Sequence, residues 1–86
     1  MDIGVEISLY PLRVDFAPVI HGFLARLNAE AGLRIVTSSM STQLFGSYEH
    51  VMSTLQRELR TTFAELGADA HKAVFVMKVM GPLPPA

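Results

Sequence analysis

The first twelve residues alternate between apolar and polar positions. The apolar positions of this segment are Ile3, Val5, Ile7 and Leu9. The positions between them are Gly4, Glu6, Ser8 and Tyr10. A period of two over this length predicts a β-strand that is buried on one face. We expect the strand, residues 3–12, to end around Pro11, because proline cannot donate a hydrogen bond to a ladder.

Two later segments carry apolar residues at the spacing of amphipathic helices. The first follows Asp15, a candidate N-cap, and its stripe comprises Phe16, Val19, Ile20, Phe23, Leu24, Leu27 and Ala31. The second follows Ser47, the next candidate cap, and its stripe comprises Tyr48, Val51, Met52, Leu55, Leu59, Phe63 and Leu66. Gly32 and Gly67 are predicted to stop these helices.

Three more β-rich runs complete the pattern. Residues 33–38 and 41–46 predict a hairpin, and residues 73–80 predict the last strand. The element order βαββαβ predicts an α+β ferredoxin-like sandwich, in which one antiparallel sheet carries two helices on one face. We expect residues 1–81 to form this single domain. Residues 82–86 are expected to form a proline-rich C-terminal tail that does not continue the sheet.

The faces of the outer strands predict their register. Pairing Glu6 with Lys78 aligns three apolar pairs on the helix side, Val5 with Val79, Ile7 with Met77, and Leu9 with Phe75. A shift of one residue would turn an apolar face outward. The open face then carries Glu6, Ser8, Tyr10, Val74, Val76 and Lys78, and the hairpin adds Val36, Ser38, Gln43 and Phe45. Apolar walls around a few hydrogen-bonding groups are typical of a small-molecule site.

The composition excludes several classes of protein. Half of the 86 residues are hydrophobic and 17% are charged, which is too apolar for a disordered chain. No apolar run approaches the roughly 18 residues of a membrane span. The net charge is −1 and no Lys/Arg cluster exists, so nucleic acid is not an expected partner. An apolar excess on so short a chain indicates a second burial surface, and we expect a homo-oligomer, dimer or tetramer.

The sequence offers little for catalysis or metal binding. It has no cysteine, which excludes disulfides and thiolate chemistry, and its acidic start does not resemble a signal peptide, so we expect a cytoplasmic protein. His21, His50 and His71 lie on different predicted elements, and surface or capping roles are favoured over a metal site. No serine has a placed His/Asp partner and no glycine-rich phosphate loop is present, so we predict neither an enzyme nor a cofactor.

Three features of the open face have both a structural and a ligand-binding interpretation. Glu6 forms a cross-strand ion pair with Lys78, or it binds a ligand through its carboxylate. Tyr10 packs at the end of the strand, or it stacks on a ligand. The stretch 37–42 is a polar turn or a binding surface that presents the hydroxyl groups of Ser38, Ser39, Ser41 and Thr42.

Two short strings carry a resemblance to a known family. They are Ile7-Ser8-Leu9-Tyr10-Pro11-Leu12 on the first strand and Ser41-Thr42-Gln43-Leu44-Phe45-Gly46 before the second helix. Over residues 3–80 the chain resembles the thiamine/hydroxymethylpyrimidine-binding family (YkoF-like). The resemblance implies a cytoplasmic protein that binds thiamine or its pyrimidine moiety without chemistry. It also implies assembly through the sheets, with the ligand on the open face near Ser8, Tyr10, Ser41 and Thr42.

The chain departs from the pattern of that family in two ways. Some relatives carry two such domains, whereas this chain carries one copy, which would have to self-associate. Phe45 occupies a variable position and could alter the ligand.

The chemistry agrees with the resemblance, because the amine and ring nitrogens of an aminopyrimidine suit the Glu6 carboxylate and nearby hydroxyl groups. Its flat face suits Tyr10 or Phe45, and a thiazolium cation is favoured over an aromatic ring.

Two other functions remain open at this point. A small dimeric ferredoxin-like enzyme, such as an antibiotic-biosynthesis-type monooxygenase or a related isomerase, would enclose a hydrophobic cavity on the same face. It would need a base or proton relay there, and only Glu6 and Tyr10 could serve. A purely structural or regulatory oligomer would use the open face for assembly alone.

Overall fold

Two helices pack on one face of a four-stranded antiparallel sheet in this chain, whose computed structural model describes residues 1–84. The elements are β1 (Asp2–Leu12), α1 (Ala17–Asn28), β2 (Arg34–Thr37), β3 (Thr42–Ser47), α2 (Tyr48–Ala68) and β4 (Lys72–Leu83). The strands lie in the order β2-β3-β1-β4. The predicted ferredoxin-like α+β sandwich is confirmed. Within the described residues, neither helix has the length and apolarity that crossing a bilayer requires.

The pairing of β1 with β4 has the predicted register. Glu6 lies opposite Lys78, and the aligned pairs on the helix side are Val5 with Val79, Ile7 with Met77, and Leu9 with Phe75. The core combines the apolar face of β1 with Leu44 of β3 and with residues of both helices, namely Val19, Phe23, Leu27, Val51, Leu55 and Leu66. Each such side chain contributes about 1.5–3 kcal/mol when it is fully buried, so the face pattern of β1 determines its register.

The two helices begin differently. Ser47 caps α2 as predicted, because its hydroxyl accepts a hydrogen bond from the His50 N–H at 3.2 Å. The predicted cap of α1 at Asp15 is wrong, since Phe16 occupies the N-cap position and makes no side-chain hydrogen bond. A cap side chain normally accepts from the second or third N–H of the helix, and Pro18 removes one of these donors. A polar cap at this end therefore has less to bind.

Both predicted helix stops are wrong in position. α1 ends at Asn28, and Gly32 lies in the following loop with a φ of 86°, in the left-handed region that glycine tolerates best. α2 continues through Gly67 to Ala68, and Ala70 takes the left-handed conformation with a φ of 57°. Each glycine lies near a turn, but neither is the residue at which its helix ends.

The last strand is longer than predicted. β4 runs past Met80 to Leu83, which lies opposite Asp2 beyond an irregularity in the ladder. Proline is tolerated in an edge strand or at a bulge, because no ladder hydrogen bond is needed from its nitrogen there. The prediction that residues 82–86 leave the sheet is wrong for the first two of them, and residues 85–86 lie outside the described part of the chain.

An ion network joins the end of α1 to α2. The carboxylate of Glu58 is buried and accepts hydrogen bonds from Arg26 and Arg57. Glu30 accepts a hydrogen bond from Arg57 at 2.8 Å, and its other oxygen lies 2.9 Å from His50 Nε2. The hydrogen bonds from His50 and Arg57 lower the pKa of the Glu30 carboxyl below its usual value of 4.5. A buried carboxylate without a partner is strongly destabilising. The guanidinium groups of Arg26 and Arg57 therefore offset the cost of burying the charge of Glu58.

Replacing Glu30 with glutamine is expected to destabilise the fold at neutral pH but not in acid. The folded-state pKa lies below 4.5, so the stabilisation by ionised Glu30 is present above pH 4.5 and is lost as the pH falls through the lowered value. Chemical denaturation of both proteins at neutral and acidic pH measures the difference. Glu65→Gln, which removes only an exposed contact of 3.4 Å to Arg26, is the control. A deficit in Glu30→Gln of the same size at both pH values would contradict the expectation.

Candidate functional site

A cavity of about 510 Å³ lies beside the second half of β1. The pairing of β3 with β1 stops at Thr42, opposite Ile7, whereas β4 pairs with β1 as far as Leu12. The second half of β1 therefore has a neighbouring strand on one side only. The cavity lies along the unpaired side, between the β2–β3 turn and residues 16–24 at the start and middle of α1.

The walls of the cavity differ in chemistry. One wall is apolar and is formed by Ile7, Leu9, Phe16, Ile20, Phe23 and Leu24. The other wall comes from β1 and the β2–β3 turn and includes Ser8, Tyr10, Ser38, Ser39, Met40, Ser41 and Thr42. This combination provides a surface for a flat apolar ring and hydroxyl groups for its polar edge.

The structure brings most of the predicted site residues together. Those that line the cavity are Ser8, Tyr10, Ser38, Ser39, Ser41 and Thr42. Glu6 and Phe45 lie outside its lining. The sequence pattern did not reveal the contribution of α1 and its N-cap. Much of the apolar wall is formed by the N-cap residue Phe16 and by Ile20, Phe23 and Leu24 of the helix. The apolar stripe of α1 contained these residues, but periodicity does not distinguish a core position from a cavity wall.

Hydrogen bonds hold the β2–β3 turn at the cavity. Ser38 Oγ accepts from the N–H groups of Met40 and Ser41, each at 3.3 Å, and donates to the Ser41 carbonyl at 3.2 Å. Ser8 Oγ donates to the Met40 carbonyl at 3.3 Å, which ties the turn to β1. These contacts fix the positions of the serine hydroxyl groups relative to the strand.

Glu6 connects to the cavity through Ser41. Its Oε2 accepts a hydrogen bond from Ser41 Oγ at 3.1 Å, and its Oε1 lies 3.9 Å from Lys78 Nζ. The ion pair with Lys78 is present but exposed, and such pairs contribute about 0–1 kcal/mol. Because Ser41 donates its hydroxyl hydrogen to Glu6, the lone pairs of Ser41 Oγ are available to accept a hydrogen bond from a ligand. Glu6 therefore orients a residue of the cavity wall.

Phe45 lies on the open face, away from the cavity. It pairs across the sheet with Gly4, and a Cβ atom at Gly4 would lie 2.9 Å from the Phe45 ring. The guanidinium of Arg34 covers the ring at 4.0 Å from its centroid. A cation already occupies this aromatic face, whereas the Tyr10 ring lies on the cavity wall and is 54% exposed.

The histidines do not form a cluster. His21 and His71 are exposed, and His50 contacts Glu30. Within residues 1–84, no three side chains among His, Asp and Glu are arranged to hold a metal ion.

Comparison with known proteins relates this chain to one family. The model of the YkoF-related family matches residues 2–78 of the chain. No curated protein matches the sequence of the chain.

Several solved structures share the fold. A Streptococcus pneumoniae protein superposes with a TM-score of 0.84 at 20% identity, over 96% of this chain and 89% of that one. A Thermotoga maritima protein, provisionally assigned to thiamine biosynthesis or salvage, superposes with a TM-score of 0.80 at 15% identity, over 95% and 85% of the two chains. A hypothetical protein of Methanocaldococcus jannaschii gives 0.76 at 16% identity, over 99% and 84%. At these identities the likeness shows the fold alone.

Proposed function

This chain belongs to the YkoF-related family, and we propose that it binds thiamine or its hydroxymethylpyrimidine moiety without turning it over. The observation that carries the proposal is the cavity beside β1, which joins an apolar wall to a wall of hydroxyl groups. Its volume of about 510 Å³ lies within the range of small-molecule pockets. The thiamine assignment of the Thermotoga maritima protein, which shares the fold, supports the same ligand class.

The proposed binding mode uses both walls. The pyrimidine ring packs against the apolar wall, in particular the partly exposed Ile20 and Leu24 of α1, and the hydroxyl groups of Ser8 and Ser41 hydrogen-bond to its polar edge. The thiazolium cation of thiamine lies on Tyr10, whose ring is exposed at the margin of the cavity. This placement keeps the apolar surface of the ring out of water and leaves the cation partly solvated.

The chemistry of the cavity supports binding without turnover. Among the described residues that line it, Tyr10 alone has a titratable side chain. Glu6 lies behind Ser41 and hydrogen-bonds to it. An isomerase or monooxygenase at this site would need a base or proton relay in contact with substrate. The rival enzymatic function therefore depends on Tyr10 without a second group beside it.

Self-association belongs to the same proposal. β4 is a twelve-residue edge strand, and its unpaired main-chain edge is a template for another strand. It also exposes large apolar side chains on both faces of the sheet, namely Val74, Val76, Met77, Val79 and Met80. A second copy of β4, antiparallel across a twofold axis, would match this edge with an identical one and bury those side chains. The occupant proposed for the β4 edge is therefore a second copy of this chain.

Thiamine and hydroxymethylpyrimidine are expected to raise the melting temperature, and Ser41→Ala is expected to weaken their binding. At a ligand concentration one hundred times the dissociation constant, the stabilisation is about 2.7 kcal/mol. Loss of the Ser41 hydroxyl should cost about 0.5–1.5 kcal/mol of binding free energy, measured by calorimetry. Ser53→Ala is the control, because Ser53 is exposed on α2 and bonds only to its own helix at the His50 carbonyl. Unchanged melting at saturating ligand, or a product detected by mass spectrometry, would contradict the proposal.

Glu6→Gln tests whether the carboxylate contacts ligand directly. Because Glu6 reaches the cavity through Ser41 and glutamine retains an acceptor oxygen, the expected loss of binding is smaller than the roughly 1.5–3 kcal/mol of a direct charged hydrogen bond. Lys78→Met should leave the affinity unchanged, since Lys78 is 83% exposed and 3.9 Å from Glu6. Calorimetric titration of both variants measures the effect. If Glu6→Gln instead loses the whole of roughly 1.5–3 kcal/mol of binding free energy, the carboxylate contacts the ligand directly.

The protein is expected to sediment as a homo-oligomer at micromolar concentration, and Val76→Lys is expected to shift it towards the monomer. Val76 lies on the open face of β4 and is half exposed, so a lysine there would place charge in the proposed interface. Val36→Lys is the matched control, because Val36 is similarly exposed on the opposite edge strand, β2. A wild-type monomer, or equal dissociation of both variants, would rule out assembly through β4.

A further inference from the structure

The hydrogen-bond alternation of β1 shows which of its main-chain groups face the cavity. In an antiparallel strand, the N–H and C=O of one residue point to the same side, and successive residues alternate. The Tyr48 N–H donates to the Met1 carbonyl at 2.9 Å. Met1 and Tyr48, which directly precede the pair of Asp2 with Ser47, are therefore hydrogen-bonded across the β1–β3 ladder. The odd-numbered residues of β1 therefore direct their main-chain groups towards β3. The even-numbered residues direct theirs towards β4.

Leu9 follows this alternation at a position where β3 has ended. The last pair of the β1–β3 ladder is Ile7 with Thr42. Ser38 donates to the Ser41 carbonyl in the turn that follows, so the hairpin closes on itself instead of extending along β1. Within residues 1–84, no main-chain or side-chain hydrogen bond outside the ladders involves Leu9. Its N–H and C=O thus both point towards the cavity that Leu9 lines.

This arrangement leaves a donor and an acceptor on a largely shielded residue. Leu9 is only 8% exposed. Buried main-chain groups almost always have a partner, and one left without any destabilises the fold. The unpaired edge of β1 beyond Ile7 also has room for only a short hydrogen-bonding partner. Pro11, the next residue that faces it, has no N–H, so a second strand could not continue a regular ladder past Leu9.

We propose that the main chain of Leu9 is the recognition element of the cavity, and that it selects a planar ring with a hydrogen-bond acceptor beside a donor. The ring nitrogen accepts from the Leu9 N–H, and the adjacent exocyclic amine donates to the Leu9 C=O. The ligand then completes the β1 ladder in the plane of the sheet, where β3 would have continued. This inference rests on the proposed function and adds that the amino-substituted edge of the pyrimidine is what the protein reads.

Two features of this chain agree with that assignment. A main-chain donor and acceptor keep the same state at any pH, so this pair of hydrogen bonds needs no ionised side chain of the protein. The Leu9 side chain faces the core on the helix side, which leaves its main chain as the part that meets the ligand edge. A peptide strand would form the same first pair of hydrogen bonds but would lose the ladder at Pro11.

Amide hydrogen exchange of the ¹⁵N-labelled full chain tests the inference, with 4-amino-5-hydroxymethyl-2-methylpyrimidine as the probe. In the free protein the Leu9 amide should exchange at least tenfold faster than those of Ser8 and Tyr10, whose N–H groups lie in the ladder with β4. Saturation with the probe should slow exchange at Leu9 at least tenfold more than at Ser8 and Tyr10, because stabilisation of the whole fold slows all three amides while a direct hydrogen bond adds protection at Leu9 alone. These two residues are internal controls on the same strand, so no variant is needed.

The analogue that lacks the 4-amino group gives a second, independent measurement. It should bind at least tenfold more weakly, about 1.4 kcal/mol, because it leaves the Leu9 carbonyl without a partner. If the probe raises the melting temperature but slows exchange at Leu9 no more than at Ser8 and Tyr10, the pyrimidine binds elsewhere and only this inference is wrong. If the Leu9 amide is already as protected as Ser8 in the free protein, the edge is paired and the inference is overturned. A probe that neither binds nor protects overturns both this inference and the proposed function.

Discussion

The unequal lengths of the strands beside β1 are the constraint on which the candidate site depends. Asp2 to Ile7 of β1 lie between two strands, and the residues that follow pair with β4 alone. Where a strand edge without a partner strand is shielded from solvent, its main-chain N–H and C=O groups need another hydrogen-bond partner. The chain covers this edge with α1 on the helix side and the β2–β3 turn at its end, and what remains between them is the cavity. The cavity therefore exists because β3 is shorter than the part of β1 beside it.

The serine-rich β2–β3 turn contributes hydroxyl groups to the cavity because it lies at the end of the sheet where β3 stops. Ser38 closes the hairpin, where its hydroxyl group both donates and accepts hydrogen bonds. Ser41 instead donates outward to Glu6, and Ser8 donates to the Met40 carbonyl, so both keep their acceptor capacity at the cavity. The structural and the binding interpretations of this stretch apply to different hydroxyl groups within it. A polar turn and a binding wall are thus compatible in one short segment.

The parts of the fold that could be read from sequence are those in which a face is buried. The register of β1 with β4 followed from alternation, because a slip would have exposed Ile7 and its neighbours. Helix ends were less predictable, since Pro18 removes a donor that a cap at Asp15 would have bound. The length of β3 relative to β1 depends on tertiary pairing and leaves no periodic signal in either strand. Hence the cavity, and the role of α1 in it, required the structure.

The two ends of α1 are held very differently. Its last turn is fixed by Arg26, whose guanidinium binds the buried Glu58 of α2. Its first turn begins at Phe16 with no side-chain cap, and Phe16 itself is half exposed on the cavity wall. Opening free energies within one fold are lowest where contacts are few, so we expect fraying of α1 to begin at its uncapped first turn, beside the cavity, rather than at the ion network. On this expectation, the cavity wall yields at Phe16, its most exposed apolar residue on the helix side, while the turn that contains Arg26 keeps its packing on α2.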